Sequence, residues 1–164
     1  MTKTCASRHQ MAQISYAYTG LFPSKLDIPA AALKVKEMLP INPEPFLRNF
    51  MLKFSPEVLV PVNIKIFGTS YDPGMVLVLT KEDCGEVMKV GILRAIAVDK
   101  EEVFLGVVSF EAQRSQHGYF VTTKQVNSFE IVNHSQLADY SPLQRIGPAN
   151  TFRFCLHHYV SSSS

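Results

Sequence analysis

Past Pro56 the sequence becomes a succession of apolar runs of strand length, each closed by a turn signal. That rhythm confines the chain to a small antiparallel β structure. Val60, Val62, Ile64 and Ile66 alternate with Pro61, Asn63, Lys65 and Phe67, which predicts a strand with one dry and one mixed face. In "FGTSYDPGMVLVLT", Pro73 presets φ for a turn and Gly74 accepts the positive φ that closes it. Met75 to Thr80 follows as a near-continuous apolar run, the pattern of a strand buried on both faces.

"KEDCGE" makes the next corner, and Val87 to Val98 reads as a long strand with a bend or bulge at Gly91. "DKEE" turns the chain into Val103 to Phe110. Shorter strands are expected at Tyr119 to Thr123 and Phe129 to Val132. "HSQLADYSPLQRIGPAN" reads as a crossing loop with a helical turn at Gln136 to Asp139, and Phe152 to Val160 closes the set. Seven such strands predict a mainly β fold, a small SH3-like or BAH-like curled sheet or barrel.

Before residue 56 the prolines crowd together: Pro23, Pro29, Pro40, Pro43, Pro45 and Pro56. Each removes a backbone donor and restricts the residue before it, so only short helices fit between them. Ser7 is placed to cap one helix through Tyr18. Ala30 to Leu39, rich in helix formers and preceded by Pro29, is the second. The expected organisation is an irregular N-terminal segment with short helices over 1–56, a β-barrel-like domain over 57–160, and a disordered tail over 161–164.

Composition bounds the function. The chain has 164 residues, 46% of them apolar, enough to bury a core in one domain. Charged residues make up 18%, below the roughly 25% of an average soluble domain. That shortfall predicts a partly apolar surface covered by a partner or by the rest of a longer protein. A net charge of +2 is too small to predict nucleic-acid binding from electrostatics alone. Cys5, Cys84 and Cys155 are odd in number and scattered, so no disulfide framework is legible. There is no apolar run of bilayer length and no signal-like N-terminus. The expected location is intracellular, cytoplasmic or nuclear.

Candidate chemistry is sparse. "CLHH" holds Cys155, His157 and His158, which Cys5 and His9 could join around a metal. The paired spacings of zinc sites are missing, however, and in a strand His158 faces away from Cys155 and His157. No metal or other cofactor is expected. Cys84 sits in a charged turn with no cation or histidine beside it, and Glu101-Glu102 is most simply a solvated turn. Without a nucleophile elbow, phosphate loop or metalloprotease motif, no enzymatic activity is expected.

Binding is the better reading. Tyr71, Phe110, Tyr119, Phe120, Phe129, Phe152, Phe154 and Tyr159 all lie in the β half. Of these, Tyr71, Tyr119, Phe120 and Phe154 are the candidates for an aromatic barrel rim. Arg145 and Arg153, with Lys124, are the candidates for a basic patch. The segment Tyr71 to Gly74 is read as a structural corner in preference to the lip of a site.

"GTSYDPGMVLVL", "VMKVGILRAIAV", "VFLGVVSFE", "HGYFVT", "QLADYSPLQRIG" and "FRFCLHHYV" form an ordered series. It resembles the C-terminal domain of uncharacterised, transposable-element-derived proteins common in fish and invertebrates. "RHQMAQISYAY" resembles the stretch that precedes that domain. The resemblance implies the C-terminal part of a longer protein and transfers no catalytic residue. A looser likeness is to bromo-adjacent homology and Tudor barrels, although tryptophan and a clear cage triad are absent here. The expectation is a protein-interaction or scaffolding module with another protein as partner. The alternative is a chromatin or nucleic-acid reader using the aromatic rim.

Overall fold

A computed structural model describes residues 25–81, 87–116, 119–143 and 153–154. The expected helix over Ser7 to Tyr18, the corner at residues 82–86 and the tail lie outside them, as does all but residues 153–154 of the expected last strand.

The chain is mainly β. Short strands β1 (Leu26–Asp27) and β2 (Leu33–Lys34) lead into helix α1 (Val35–Met38) and a 3-10 turn (Leu39–Ile41). Helix α2 (Pro45–Met51) precedes β3 (Leu59–Val60), β4 (Ile64–Ile66), β5 (Thr69–Tyr71) and β6 (Val76–Lys81). The long strands β7 (Val87–Asp99), β8 (Glu102–Arg114) and β9 (Phe120–Asn133) follow. A 3-10 turn (His134–Gln136), β10 (Asp139–Leu143) and β11 (Arg153–Phe154) complete the series.

All pairings are antiparallel. β1, β4 and β5 form a three-stranded sheet. The eight-stranded sheet runs β10-β6-β7-β8-β9-β11, and β3, carrying β2, joins β7 beyond the end of β6. Among the described residues β10 and β11 do not pair with each other. Of the two expected forms, the described residues therefore make the curled sheet and close no barrel.

The β7–β8 hairpin is the spine. Each strand has 13 residues, which at about 3.3 Å per residue makes a ribbon of about 40 Å. Their side chains alternate between two faces. Leu93, Ile96, Val98, Leu105 and Val107 pack with Ile64, Ile66 and Tyr71 of the small sheet. On the other face, Met88, Val90, Ile92, Phe110 and Ala112 pack with Val76, Val78 and Phe120. Further along that face, Ala95 and Ala97 pack with Val35, Phe50, Met51 and Val60. The alternation survives a bulge because Leu93 pairs with Val107 while Ala95 pairs with Gly106, leaving Arg94 as the extra residue. Its guanidinium lies over the Phe46 ring at 4.9 Å.

The bulge was expected at Gly91, which has a different role. A Cβ there would lie 2.9 Å from Cβ of Val107, so the glycine lets the strands approach closely. Other expectations are displaced for equally local reasons. The strand expected over Val60 to Phe67 breaks at Pro61, which supplies no amide donor. Val62, expected on the dry face, is 73% exposed. Phe67 and Gly68, both at positive φ, then make the two-residue hairpin between β4 and β5.

The helix expected from Ala30 starts at Val35, because Leu33 and Lys34 pair with Val60 and Leu59 instead. Glu44 accepts from the amide of Leu47 and Pro45 occupies the first turn, so α2 begins where the prolines had suggested irregular chain. The two short strands expected at Tyr119 to Thr123 and Phe129 to Val132 are one strand, β9, with three register shifts against β8. Within the expected crossing loop, the helical turn lies at His134–Gln136 and is followed by β10.

Candidate functional site

The site is assembled from a capped turn, a hairpin and a sheet edge. Asn133 Oδ1 accepts from the Ser135 amide at 3.0 Å, and Gln136 Oε1 accepts from the Asn133 amide at 3.2 Å. This reciprocal cap holds the His134–Gln136 turn in place at the end of β9. It sets His134 inward, where the side chain is buried.

Tyr71 arrives from the opposite direction. The turn after it closes with the Met75 amide donating to the Asp72 carbonyl, and Gly74 has φ of 95°. The Gly74 amide donates to the Leu93 carbonyl at 2.8 Å, and the Leu93 amide to the Met75 carbonyl at 2.9 Å. The corner is thereby fastened to β7, and Tyr71 is fully buried.

Its hydroxyl donates to the Tyr140 carbonyl and lies 2.9 Å from His134 Nε2. A hydroxyl has one hydrogen, and the carbonyl can only accept. The imidazole therefore donates from Nε2 to the tyrosine oxygen. The Tyr71 ring meets His134 edge-on at 5.2 Å and 89°, while His134 stacks on Tyr140 at 4.9 Å and 16°.

Above this trio opens a cleft of about 360 Å³. Lys25, Ile66, Glu101, Glu102, His134 and Tyr140 line it. Glu101 and Glu102 directly follow the left-handed Lys100 (φ 59°) in the turn from β7 into β8, so the hairpin tip places two adjacent carboxylates at the rim. Both are exposed, and among the described residues neither forms an ion pair. With Lys25 as the opposing charge, the rim carries a net negative charge. Ser135 Oγ is 2.9 Å from Asn133 Oδ1 and the Tyr71 hydroxyl is committed to the trio, so the arrangement suits holding a ligand better than attacking one.

A second polar cluster is structural. Glu130 accepts from Lys89 Nζ at 2.8 Å, Asn127 Nδ2 at 3.0 Å and Ser109 Oγ at 3.1 Å. Burial pushes its carboxyl up, but these three donors together outweigh it, so Glu130 titrates below its ordinary value. The cluster sits where β9 is bulged and ties three strands together.

The aromatic candidates do not meet at one rim. Tyr71 and Phe120 are both buried, in different core clusters on opposite faces of the sheet. Tyr119 is half-buried. Phe110 is buried in the same cluster as Phe120, and Phe129 packs on Phe46 at 5.2 Å. Arg153 and Phe154 pair through their backbones with Val121 and Phe120. Lys124 is exposed and 3.9 Å from Glu111. Arg145 lies outside the described residues, as do Cys5, His9, Cys84, Phe152, Cys155, His157, His158 and Tyr159. Among the described residues no three His, Cys, Asp or Glu side chains could hold a metal ion, and no helix is long and apolar enough to cross a membrane.

The residues that sequence reasoning missed are His134 and Tyr140. Their one local signal was the capping pattern Asn133-x-x-Gln136, which marks a turn just before the chain re-enters the sheet. Compared with known families, curated proteins and solved structures, the chain gives no match.

Proposed function

We propose that the chain is a non-enzymatic protein-interaction module that receives a side chain of its partner in the cleft beside His134. The observation that carries this reading is preorganisation. The cleft wall is a stacked pair whose members are both hydrogen-bonded to one buried hydroxyl, so little ordering is required on binding. In keeping with the resemblance, the module would serve as the C-terminal part of a longer transposable-element-derived protein. The SH3-like comparison enters only as an analogy of size and strand content. A nucleic-acid version is less well supported, because a net acidic rim repels phosphate. A chromatin version survives as a special case, the partner then being a histone-like peptide.

The test is selection of binding peptides from a random displayed library on the full 164-residue chain. Lys25 lines the cleft and engages the fold through its backbone carbonyl, which accepts from the Phe67 amide, so Lys25→Trp can plug the cleft without uncoupling β1. Selected peptides should bind Lys25→Trp about tenfold more weakly, equivalent to about 1.4 kcal/mol. Lys53→Trp, at an exposed position just after α2, should leave them unchanged. Peptides indifferent to Lys25→Trp, or a library that yields none, would overturn the proposal.

A further inference from the structure

We infer that the side chain taken by this cleft is cationic, an unmethylated lysine or an arginine of the partner; the inference rests on the binding role proposed above. Three features converge on it. Glu101 and Glu102 stand at the rim without an ion pair among the described residues, so their charge is available to a ligand. Ile66 and Val103, both buried, give an apolar wall along which a methylene stem can lie. Tyr140 adds an aromatic ring beside the position of the charge. The volume of about 360 Å³ is near the lower bound of ligand sites, which suits one side chain and some water better than a folded surface.

The same geometry argues against a methylated lysine. A cage for quaternary ammonium surrounds the cation with aromatic faces, whereas Tyr140 already spends one face on His134. Methylation would also remove the N–H donors that the two carboxylates can accept from. Lys25 lines the same cleft, and its charge opposes those carboxylates. It keeps the cleft from being strongly acidic, and it sets how tightly a cation is held.

The experiment is a titration of the full chain, followed by amide shifts of Val103 and of Asn133 to Ser135. The probes are blocked tripeptides Gly-Lys-Gly, Gly-Arg-Gly, Gly-Gln-Gly and Gly-trimethyllysine-Gly. Lysine and arginine should bind about fivefold more tightly than glutamine, as two exposed carboxylates allow. In the double variant Glu101→Gln/Glu102→Gln that preference should vanish. Lys25→Gln should tighten binding of the lysine probe about twofold. If all probes perturb the cleft amides with equal affinity, the cleft binds but the cation inference is wrong. Tighter binding of trimethyllysine than of lysine overturns it in favour of an aromatic cage. If no probe moves these amides, the inference falls; the peptide selection separately decides whether the binding role falls too.

Discussion

The β7–β8 hairpin carries two aromatic clusters on opposite faces, and they are built on different chemistry. Against α2, Phe46 meets Phe129, and Phe54 meets both Phe50 and Phe104, at centroid distances of 4.9–5.4 Å. Gly106 opens the seat, since a Cβ there would lie 2.7 Å from the Phe50 ring. Against the small sheet, Tyr71, His134 and Tyr140 are oriented through a hydroxyl, an imidazole and a carbonyl. Rings without polar tips are held by apolar and tilted ring contacts alone, and here Phe50 is fully buried while Phe46, Phe54, Phe104 and Phe129 are half-buried. Rings tethered by hydrogen bonds are held at particular angles, and one side of the group can stay open to water without collapsing. The hydrogen-bonded cluster borders the cleft, and the phenylalanine cluster does not.

The largest expected effect breaks the phenylalanine cluster. Phe50→Ala removes a fully buried ring and should lower unfolding stability by about 3–5 kcal/mol in urea. If the two clusters are independent, the amides of Asn133 to Ser135 should keep their chemical shifts. Movement of those amides would show that the spine transmits between its faces. Tyr71→Phe comes next, at about 1–3 kcal/mol, because it leaves the buried His134 donor and the Tyr140 carbonyl without their shared partner. Unlike Phe50→Ala it should also weaken the lysine probe, since the cleft wall loses its tether. A Tyr71→Phe protein that loses stability but binds normally would mean that stacking alone holds His134 and Tyr140.

This contrast explains what could be read in the sequence. Met75 to Thr80 and Val87 to Val98 were legible because both strands bury both faces, so apolar pattern and structure coincide within a residue or so. The Pro73-Gly74 turn was legible because its chemistry is local. The middle of β9 was not. Thr123 to Ser128 are exposed, with Val126 the one apolar residue among them, and the strand is bulged, so the run has no constant apolar period. Pairing with β3 overrode the helix propensity of Leu33 and Lys34, which lies beyond any local rule. The site was least legible of all. Tyr71 looked like a rim aromatic because the partners that bury its hydroxyl lie 63 and 69 residues away. The cleft itself exists only once Lys25, Glu101 and His134 are brought together by pairings in two different sheets.

Two smaller predictions extend the comparison to charges. Glu130 stabilises the bulged part of β9 from a side chain only 24% exposed. Its folded carboxyl titrates below the ordinary value of 4.5, so the unfolded chain takes up a proton at higher pH than the folded one. The stabilisation is therefore complete above that ordinary value and is lost as pH falls through the lower, folded value. Glu130→Gln should cost about 1 kcal/mol at neutral pH and flatten the acid limb of a stability-against-pH curve. Glu57 has the same sign with a larger shift, since hydrogen bonds from Lys34 and Lys36 hold it down to about 2. A larger shift does not make a larger effect here, because this triad is solvent-exposed, where entropy and screening consume most of the attraction. Glu57→Gln should therefore change the acid limb less than Glu130→Gln does. Its effect should disappear in about 0.5 M salt, where screening acts over a few ångströms, while that of Glu130→Gln should persist. If the salt dependences are reversed, Glu130 is acting as a surface charge, and the ties across β7, β8 and β9 do not hold the bulges.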